Sequence, residues 1–413
     1  MKIERPRGTR DFLPEEMEKR RLIEKRMREI AESFGYREIS TPTFEHLELF
    51  TLKSGEEIVK EMYTFKDKSG RDLALRPEVT AAVMRLFVNE CSVMPKPLRF
   101  YYFANCFRYE RPQRGRYREF WQFGVELIGS SKPEADAEVI YLAYKILKEL
   151  NIKFELHIGH VGLLRHVLRE LNDEQALKIM RLIDKRDLDS LDAYMEEIGV
   201  KENVRENVYN VIELVGDREI LKDAKIFGFD LSHVEAVCDI LDYLNVEYTL
   251  NFGIARGLDY YTGVVFECYA EGLGAQNQVC GGGSYELTHL FGYERIPSTG
   301  FAIGFDRVAE VCSVKPKERV KIAVVSLESF EKEAFRIAEK LREKGITAFV
   351  DVMRRSVKKQ LSYANDVKAD FAIIIGRKEY EQNMVTLKDL STGEQMSLSL
   401  DEAIEIILSK KRE

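Results

Sequence analysis

The sequence predicts an α+β domain built on an antiparallel sheet, carrying a mostly helical insertion and followed by a smaller α/β domain. Three observations predict it. Residues 98–128 form two extended, aromatic-rich stretches around a polar turn, Pro112-Gln113-Arg114-Gly115. Glycines crowd residues 253–304 between short apolar pieces, the pattern of an antiparallel sheet with tight turns near a ligand. After Pro316, strands and helices alternate. The expected boundaries are 1–318 for the first domain, with the insertion at about 170–245, and 319–413 for the second.

Each element has a local reason. Pro14 suits the first position of a helix, and Glu15, Glu16 and Glu18 favour its positive end. Ile23, Met27, Ile30, Ala31 and Phe34 then share one face, and Gly35 fits the C-terminal cap. Strand-like pieces at 36–39 and 72–75 follow, and Pro77 is expected to open a helix over 79–89. Leu98 to Arg108 and Glu119 to Leu127 are the two aromatic strands, and Pro133 to Leu150 is a helix. Residues 170–245 carry helical periodicity, many charges and few glycines. In the last domain, strands are expected at 320–327, 346–350, 371–375, 385–390 and 395–398, with helices at 329–344, 356–367 and 401–408.

Composition bounds the function. The 413 residues are 45% hydrophobic and 32% charged, which suits a soluble globular chain. No apolar run approaches the roughly 20 residues of a membrane span, and Met1 to Arg7 lacks the apolar stretch of a signal peptide. A cytoplasmic protein with no membrane partner is expected. The six cysteines include no CxxC pair and are expected to be reduced core thiols. His157 and His160 are the only close histidine pair and have no third ligand nearby in sequence, so no protein-bound metal is expected. The net charge of −7 argues mildly against a nucleic-acid binder, but a large enzyme needs only a local basic surface. One basic cluster stands out: Arg108, Arg111, Arg114, Arg116 and Arg118, offset only by Glu110.

That cluster lies within a larger pattern. Phe107-Arg108-Tyr109-Glu110-Arg111-Pro112-Gln113 with Gly115-Arg116-Tyr117-Arg118-Glu119-Phe120 resembles motif 2 of the class II aminoacyl-tRNA synthetases. Arg256-Gly257-Leu258-Asp259-Tyr260-Tyr261-Thr262 resembles the string peculiar to the histidyl-tRNA synthetases. Gly300 to Arg307 is similar to class II motif 3, and Thr41-Pro42-Thr43-Phe44-Glu45 to motif 1. The motifs occur in the family's order along nearly the whole chain. The resemblance implies a class II catalytic domain with a helical insertion and a C-terminal anticodon-binding domain. The implied activity is ATP-dependent histidine–tRNA ligation.

The chemistry this implies needs no enzyme nucleophile. The carboxylate of L-histidine attacks the α-phosphate of ATP, so catalysis is positioning and charge stabilisation. Arginine suits both tasks, because its planar fork holds two oxygens and stays charged. By resemblance, Arg108 and Arg256 meet the α-phosphate and the carboxylate, Arg116 and Arg307 hold the β- and γ-phosphates, and Phe120 stacks on adenine. Mg2+ would accompany ATP. Neutral imidazole offers one donor and one acceptor, which a carboxylate and a phenol can match. The resemblance gives these parts to Glu126 and Tyr261. Glu126 also lies in an apolar strand, where a carboxylate needs a partner. Glu78, Thr80 and Gln122 would take the α-amino group. Tyr260 either lines the same pocket or simply packs.

Transfer to histidine tRNA requires the motif 2 turn to meet the acceptor end, which in this family carries an additional 5′ guanosine. Arg111 and Gln113 could read that nucleotide by its base edge or touch phosphate only. Arg354, Arg355, Lys358 and Lys359 open a helix in the last domain, either as a phosphate site or as a solvated charge run. Motif 1 implies a homodimer. One departure is notable: many relatives have Arg-Tyr-Asp after the glycines, where this chain has Ser284-Tyr285-Glu286. Two rival readings are a regulatory paralogue that binds histidine as a signal and a class II synthetase for another amino acid. The Arg256 string and the last domain argue against the first, and Glu126 with Tyr261 against the second.

Overall fold

The computed structural model describes residues 3–54, 56–111, 115–255, 260–274, 277–316 and 319–410. The chain divides into two compact units, Met1–Lys315 and Pro316–Glu413.

The first unit is organised by a nine-stranded sheet. Its strands in chain order are β1 (Arg37–Glu38), then, after a small separate sheet of β2 (Phe44–His46), β3 (Thr64–Lys66) and β4 (Asp72–Leu75), the long pair β5 (Leu98–Phe107) and β6 (Glu119–Ile128). There follow β7 (Phe154–His160), β8 (Val215–Gly216), β9 (Thr249–Asn251), β10 (Tyr261–Ala270), β11 (Gln278–Tyr285) and β12 (Ser298–Gly304). The spatial order is β1-β5-β6-β12-β11-β10-β7-β9-β8. From β5 through to β7 every neighbouring pair is antiparallel, and the parallel pairs lie towards the edges. This is the class II synthetase type of sheet that the motif strings implied.

Helices close the sheet in the way their sequences predict. Pro14–Ser33 starts with proline at its first position and buries Arg20, Ile23, Met27 and Ala31, a helical stripe. Burial of Ile23 and Met27 contributes about 1.5–3 kcal/mol each. The helix ends where Gly35, at φ +82°, donates to the Glu32 carbonyl. Pro133–Glu149 packs on β6, β11 and β12 and brings Ala137, Ile140, Ala143 and Leu147 into the main core. The region after β7 is helical: Val161–Val167, Asp173–Asp184, Leu188–Glu197, Glu202–Glu213, Ile220–Ala224 and Ser232–Tyr243. Its two-residue strand β8 pairs with β9, so this region ends on the sheet edge.

One expected helix differs. Pro77 does not open it; the helix runs Thr80–Leu86 and continues as a π-helical turn, Phe87–Cys91. The Pro77 carbonyl instead accepts from Arg108 Nε at 3.1 Å, and the Glu78 carboxylate accepts the Ala81 N–H at 3.2 Å. Local side-chain bonds of this kind compete with a helical first turn.

The second unit is a five-stranded sheet: β13 (Lys321–Ser326), β14 (Thr347–Val350), β15 (Phe371–Ile375), β16 (Val385–Asp389) and β17 (Gln395–Leu398), in the order β14-β13-β15-β16-β17. The first three are parallel, connected through the helices Glu331–Glu343 and Val357–Asp366. A short helix, Arg377–Glu381, follows β15 and was not expected from the sequence. Among the described residues no helix is long and apolar enough to cross a membrane.

Candidate active site

Side chains alternate across a sheet, so register decides which residues share a face. Tyr102 pairs with Gly124, Phe100 with Glu126 and Ala104 with Gln122; Glu126 pairs with Gly300, and Gly300 with Gly283. Tyr285 pairs with both Ser298 and Tyr261. Period two therefore puts Tyr102, Phe120, Gln122, Glu126, Tyr261 and Tyr285 on one face, with Arg108 just beyond the end of β5. Two glycines clear the floor. A Cβ on Gly300 would stand 2.1 Å from Glu126 Oε2, and one on Gly124 would stand 2.3 Å from the Tyr102 phenol. Only glycine lets these side chains lie across the neighbouring strand.

One end of this face is acidic and closed. Glu126 is 1% exposed, and the Tyr285 O–H donates to its Oε2 at 2.5 Å. Burial, then the charge of Glu126, pushes the Tyr285 phenol well above its ordinary range, so it stays a donor. Burial does the same to Tyr102, with the charges of Glu126 and Glu78 adding to it, so both carboxylates act on the same phenol. Thr80 is buried, and Gln122 Oε1 lies 3.4 Å from Cys106 Sγ. Tyr260 stacks beside Tyr261 with ring centroids 4.5 Å apart and hydroxyls 3.4 Å apart, and meets Tyr285 edge-on at 5.6 Å. Expected amino-acid residues thus gather around Glu126. The sequence reading missed Tyr102 and Tyr285, although alternation along β5 and β11 could have placed both.

The other end is cationic. Arg307, in the first turn of Phe305–Val311, donates to the carbonyls of Gly115 at 3.0 Å and Gln278 at 2.5 Å. Burial, then the nearby Arg116 charge and also that of Arg108, lowers its pKa, while Glu110 opposes this. Arg108 lies 5.2 Å from the Phe120 ring and 3.9 Å from Glu110, and Arg116 lies 3.4 Å from the same carboxylate. Three guanidinium groups so close together repel one another and attract an anion carrying several charges. Glu110, which the sequence reading counted only as an offset, is their shared counter-ion.

Other arginines serve the scaffold. Asp306 accepts from Arg10, from Arg20 at 2.8 Å and from the Trp121 N–H at 2.7 Å, which ties the N-terminal segment to β6. Arg76 binds carbonyls of Thr41 and Asn105, each at 2.8 Å. Arg118 donates to the Glu110 carbonyl at 3.2 Å and covers the Tyr109 ring. Arg111 is exposed. Arg256 and Gln113 lie outside the described residues. In the second unit, Arg355 is held by Asp351 at 2.5 Å and covers Tyr363, while Arg354, Lys358 and Lys359 are exposed. Among the described residues no group of three or more His, Cys, Asp or Glu is arranged to hold a metal ion. His157 Nδ1 meets Asn251 at 3.2 Å, and all six cysteines are buried.

The sequence and the fold also match those of known proteins. The histidyl-tRNA synthetase family profile matches residues 8–308, and an anticodon-binding-domain profile matches 319–410. A protein of Archaeoglobus fulgidus named histidine–tRNA ligase is 63% identical over 408 residues, covering 98% of this chain and 100% of its own. One of the same name from Methanosarcina acetivorans is 51% identical over 413 residues and covers 100% of both chains. The crystal structure of apo S. aureus histidyl-tRNA synthetase superposes with a TM-score of 0.73 at 30% identity, over 98% of this chain and 100% of that one. With a sheet of this topology, a site of these residues and matches of this extent, the chain belongs to the histidyl-tRNA synthetase family.

Proposed function

We propose that this chain is a histidine–tRNA ligase whose single sheet face divides the substrates between its two ends. The division itself carries the proposal: a buried carboxylate with its phenol at one end, three mutually repelling arginines at the other. Histidine lies at the acidic end. Glu126 accepts from one ring nitrogen, the Tyr261 phenol serves the other, and Glu78, Thr80 and Gln122 take the α-amino group, with Tyr260 against the ring. A site that pairs both ring nitrogens rejects ligands lacking them, since its own buried polar groups would be left unpaired.

ATP extends to the cationic end. Arg116 and Arg307 hold the terminal phosphates, Phe120 stacks on adenine, and Arg108 is assigned with Arg256 to the α-phosphate and the histidine carboxylate. Mg2+ would accompany ATP and would supply positive charge against its phosphates. The histidine carboxylate attacks the α-phosphorus, pyrophosphate leaves, and the adenylate then gives up histidine to the 3′ end of histidine tRNA. Arg111 and Gln113 are assigned to the acceptor end of the tRNA, and the 319–410 domain to the anticodon. A homodimer is supported by the small β2-β4-β3 sheet, which exposes Phe44 and Phe65 with rings 6.1 Å apart. Cytoplasmic placement is supported by the burial of all six cysteines as core thiols.

Exchange of labelled pyrophosphate into ATP tests the reading. Exchange that requires histidine, and is largely lost in Arg256→Ala, is the expected result. No exchange from folded protein that binds histidine would overturn it in favour of the regulatory paralogue.

A further inference from the structure

Behind the pocket face lies a second buried carboxylate, which the reaction does not use. Asp136, in Pro133–Glu149, is 5% exposed. Its Oδ1 accepts the Ser284 hydroxyl at 2.8 Å, and its Oδ2 lies 2.8 Å from His233 Nε2. Ser284 immediately precedes Tyr285 in β11 and points to the opposite face. His233 sits at the start of Ser232–Tyr243, the last helix of the helical region. One carboxylate thus ties that region to the strand whose next residue holds Glu126. The tie reaches β10 as well, since the Ser284 carbonyl accepts from Thr262 Oγ1 at 3.4 Å, one residue beyond Tyr261.

A buried carboxylate needs a compensating charge, not only a hydroxyl. The Ser284 hydroxyl supplies none. His233 is the group that can.

We propose that the Ser284–Asp136–His233 chain is a positioning device for the histidine pocket, in which protonated His233 holds Asp136, Asp136 holds Ser284, and Ser284 sets the Tyr285–Glu126 pair. This rests on the assignment of Glu126 and Tyr285 to that pocket. The groups facing His233 fit the role. Asp136 and Glu134 face it from Pro133–Glu149, His160 from the end of β7, and Glu235 on its own helix is engaged by Lys225 at 2.5 Å. The hydrogen bond to Asp136 raises His233 above the ordinary histidine value, against burial. His160 cannot substitute. Burial, then the His233 charge, lowers it to about 4, and its Nδ1 already accepts the Gly162 N–H at 3.0 Å. A raised value means the tie is complete below about pH 6.5, the ordinary value for histidine. It is lost as pH rises through the higher folded value.

The test is the KM for histidine and the kcat of pyrophosphate exchange from about pH 6.5 to about pH 9, in wild type and His233→Gln. Ionisation of free histidine is common to both and cancels in their ratio. His233→Gln should raise KM about tenfold at the acid end, leave kcat within about twofold, and converge with wild type at the alkaline end. Adding Ser284→Arg, which returns a charge to Asp136 from β11, should restore a low KM and remove the pH dependence. A KM ratio constant with pH, or no rescue by the double variant, overturns the proposal. Should His233→Gln fail to fold, Ser284→Ala should raise KM alone, and an unchanged KM would count against the chain. Glu126→Gln run alongside separates the two ideas. An unchanged histidine KM there overturns the pocket assignment. A raised one, with parallel His233→Gln profiles, overturns only the positioning device.

Discussion

The two ends of the catalytic face solve opposite problems. At the acidic end, Glu126 is 1% exposed and already holds a donor, so the pocket proposed for histidine is ordered without a ligand. At the cationic end, the Arg108 and Arg116 side chains remain 36% and 44% exposed, and Glu110 stands between them at 3.9 and 3.4 Å. The difference teaches where selectivity and catalysis are obtained. Selectivity comes from buried polar groups that tolerate no wrong partner. Charge stabilisation comes from like charges gathered by backbone anchors, as when the Gly115 and Gln278 carbonyls fix Arg307, and it is realised when phosphate arrives.

Variants can break this contrast, and the largest effect is expected at the cationic end. Arg108→Ala should lower kcat of pyrophosphate exchange by about 10²–10³, with histidine binding nearly unchanged. A comparable loss of histidine binding would mean that the ends are not separate. Next comes Glu126→Gln, which removes a charged hydrogen bond of roughly 1.5–3 kcal/mol and should raise the histidine KM by one to two orders of magnitude while leaving that for ATP alone. Gly300→Ala sharpens the same point by geometry. Its Cβ would fall 2.1 Å from Glu126 Oε2 and 2.4 Å from the Val125 carbonyl. The variant should lose about 1–3 kcal/mol of stability and weaken histidine binding together, measurable by thermal melting with and without histidine. A stability loss without a histidine effect would detach Gly300 from the pocket.

Smaller effects follow. Tyr285→Phe keeps the ring but leaves Glu126 one donor short, so histidine KM should rise about tenfold with kcat little changed. Glu110→Gln is the mildest. Its long contacts contribute about 0–1 kcal/mol, and it removes a carboxylate that incoming phosphate must displace. The ATP KM should fall about twofold, more at low salt. A rise would show that Glu110 orients the arginines rather than occupying their site.

Much of this contrast was legible in the sequence. Aromatic enrichment located the long strands that lead to Arg108 and carry Glu126, and the apolar run around Glu126 announced that it needed a partner. The partner itself was not legible. Tyr285 lies 159 residues away, and only the β6-β12-β11 order and its register bring the two together. The same holds for Ser284, which looked like a lost charge and instead binds Asp136, 148 residues away, alongside His233. The helix expected over 79–89 forms but starts at Thr80 rather than from Pro77, for a related reason. The tertiary bond from Arg108 claims the Pro77 carbonyl, and no local pattern announces it. Local signals gave the elements; the pairings that set function are long-range.

The most direct test of the divided face is calorimetric titration of histidine and of ATP, separately, into Glu126→Gln and Arg307→Ala. The account predicts a double dissociation. Glu126→Gln should lose histidine affinity by at least about tenfold while holding ATP within about twofold, and Arg307→Ala should do the reverse. Equal weakening of both ligands in either variant, or undiminished histidine binding by Glu126→Gln, would contradict it.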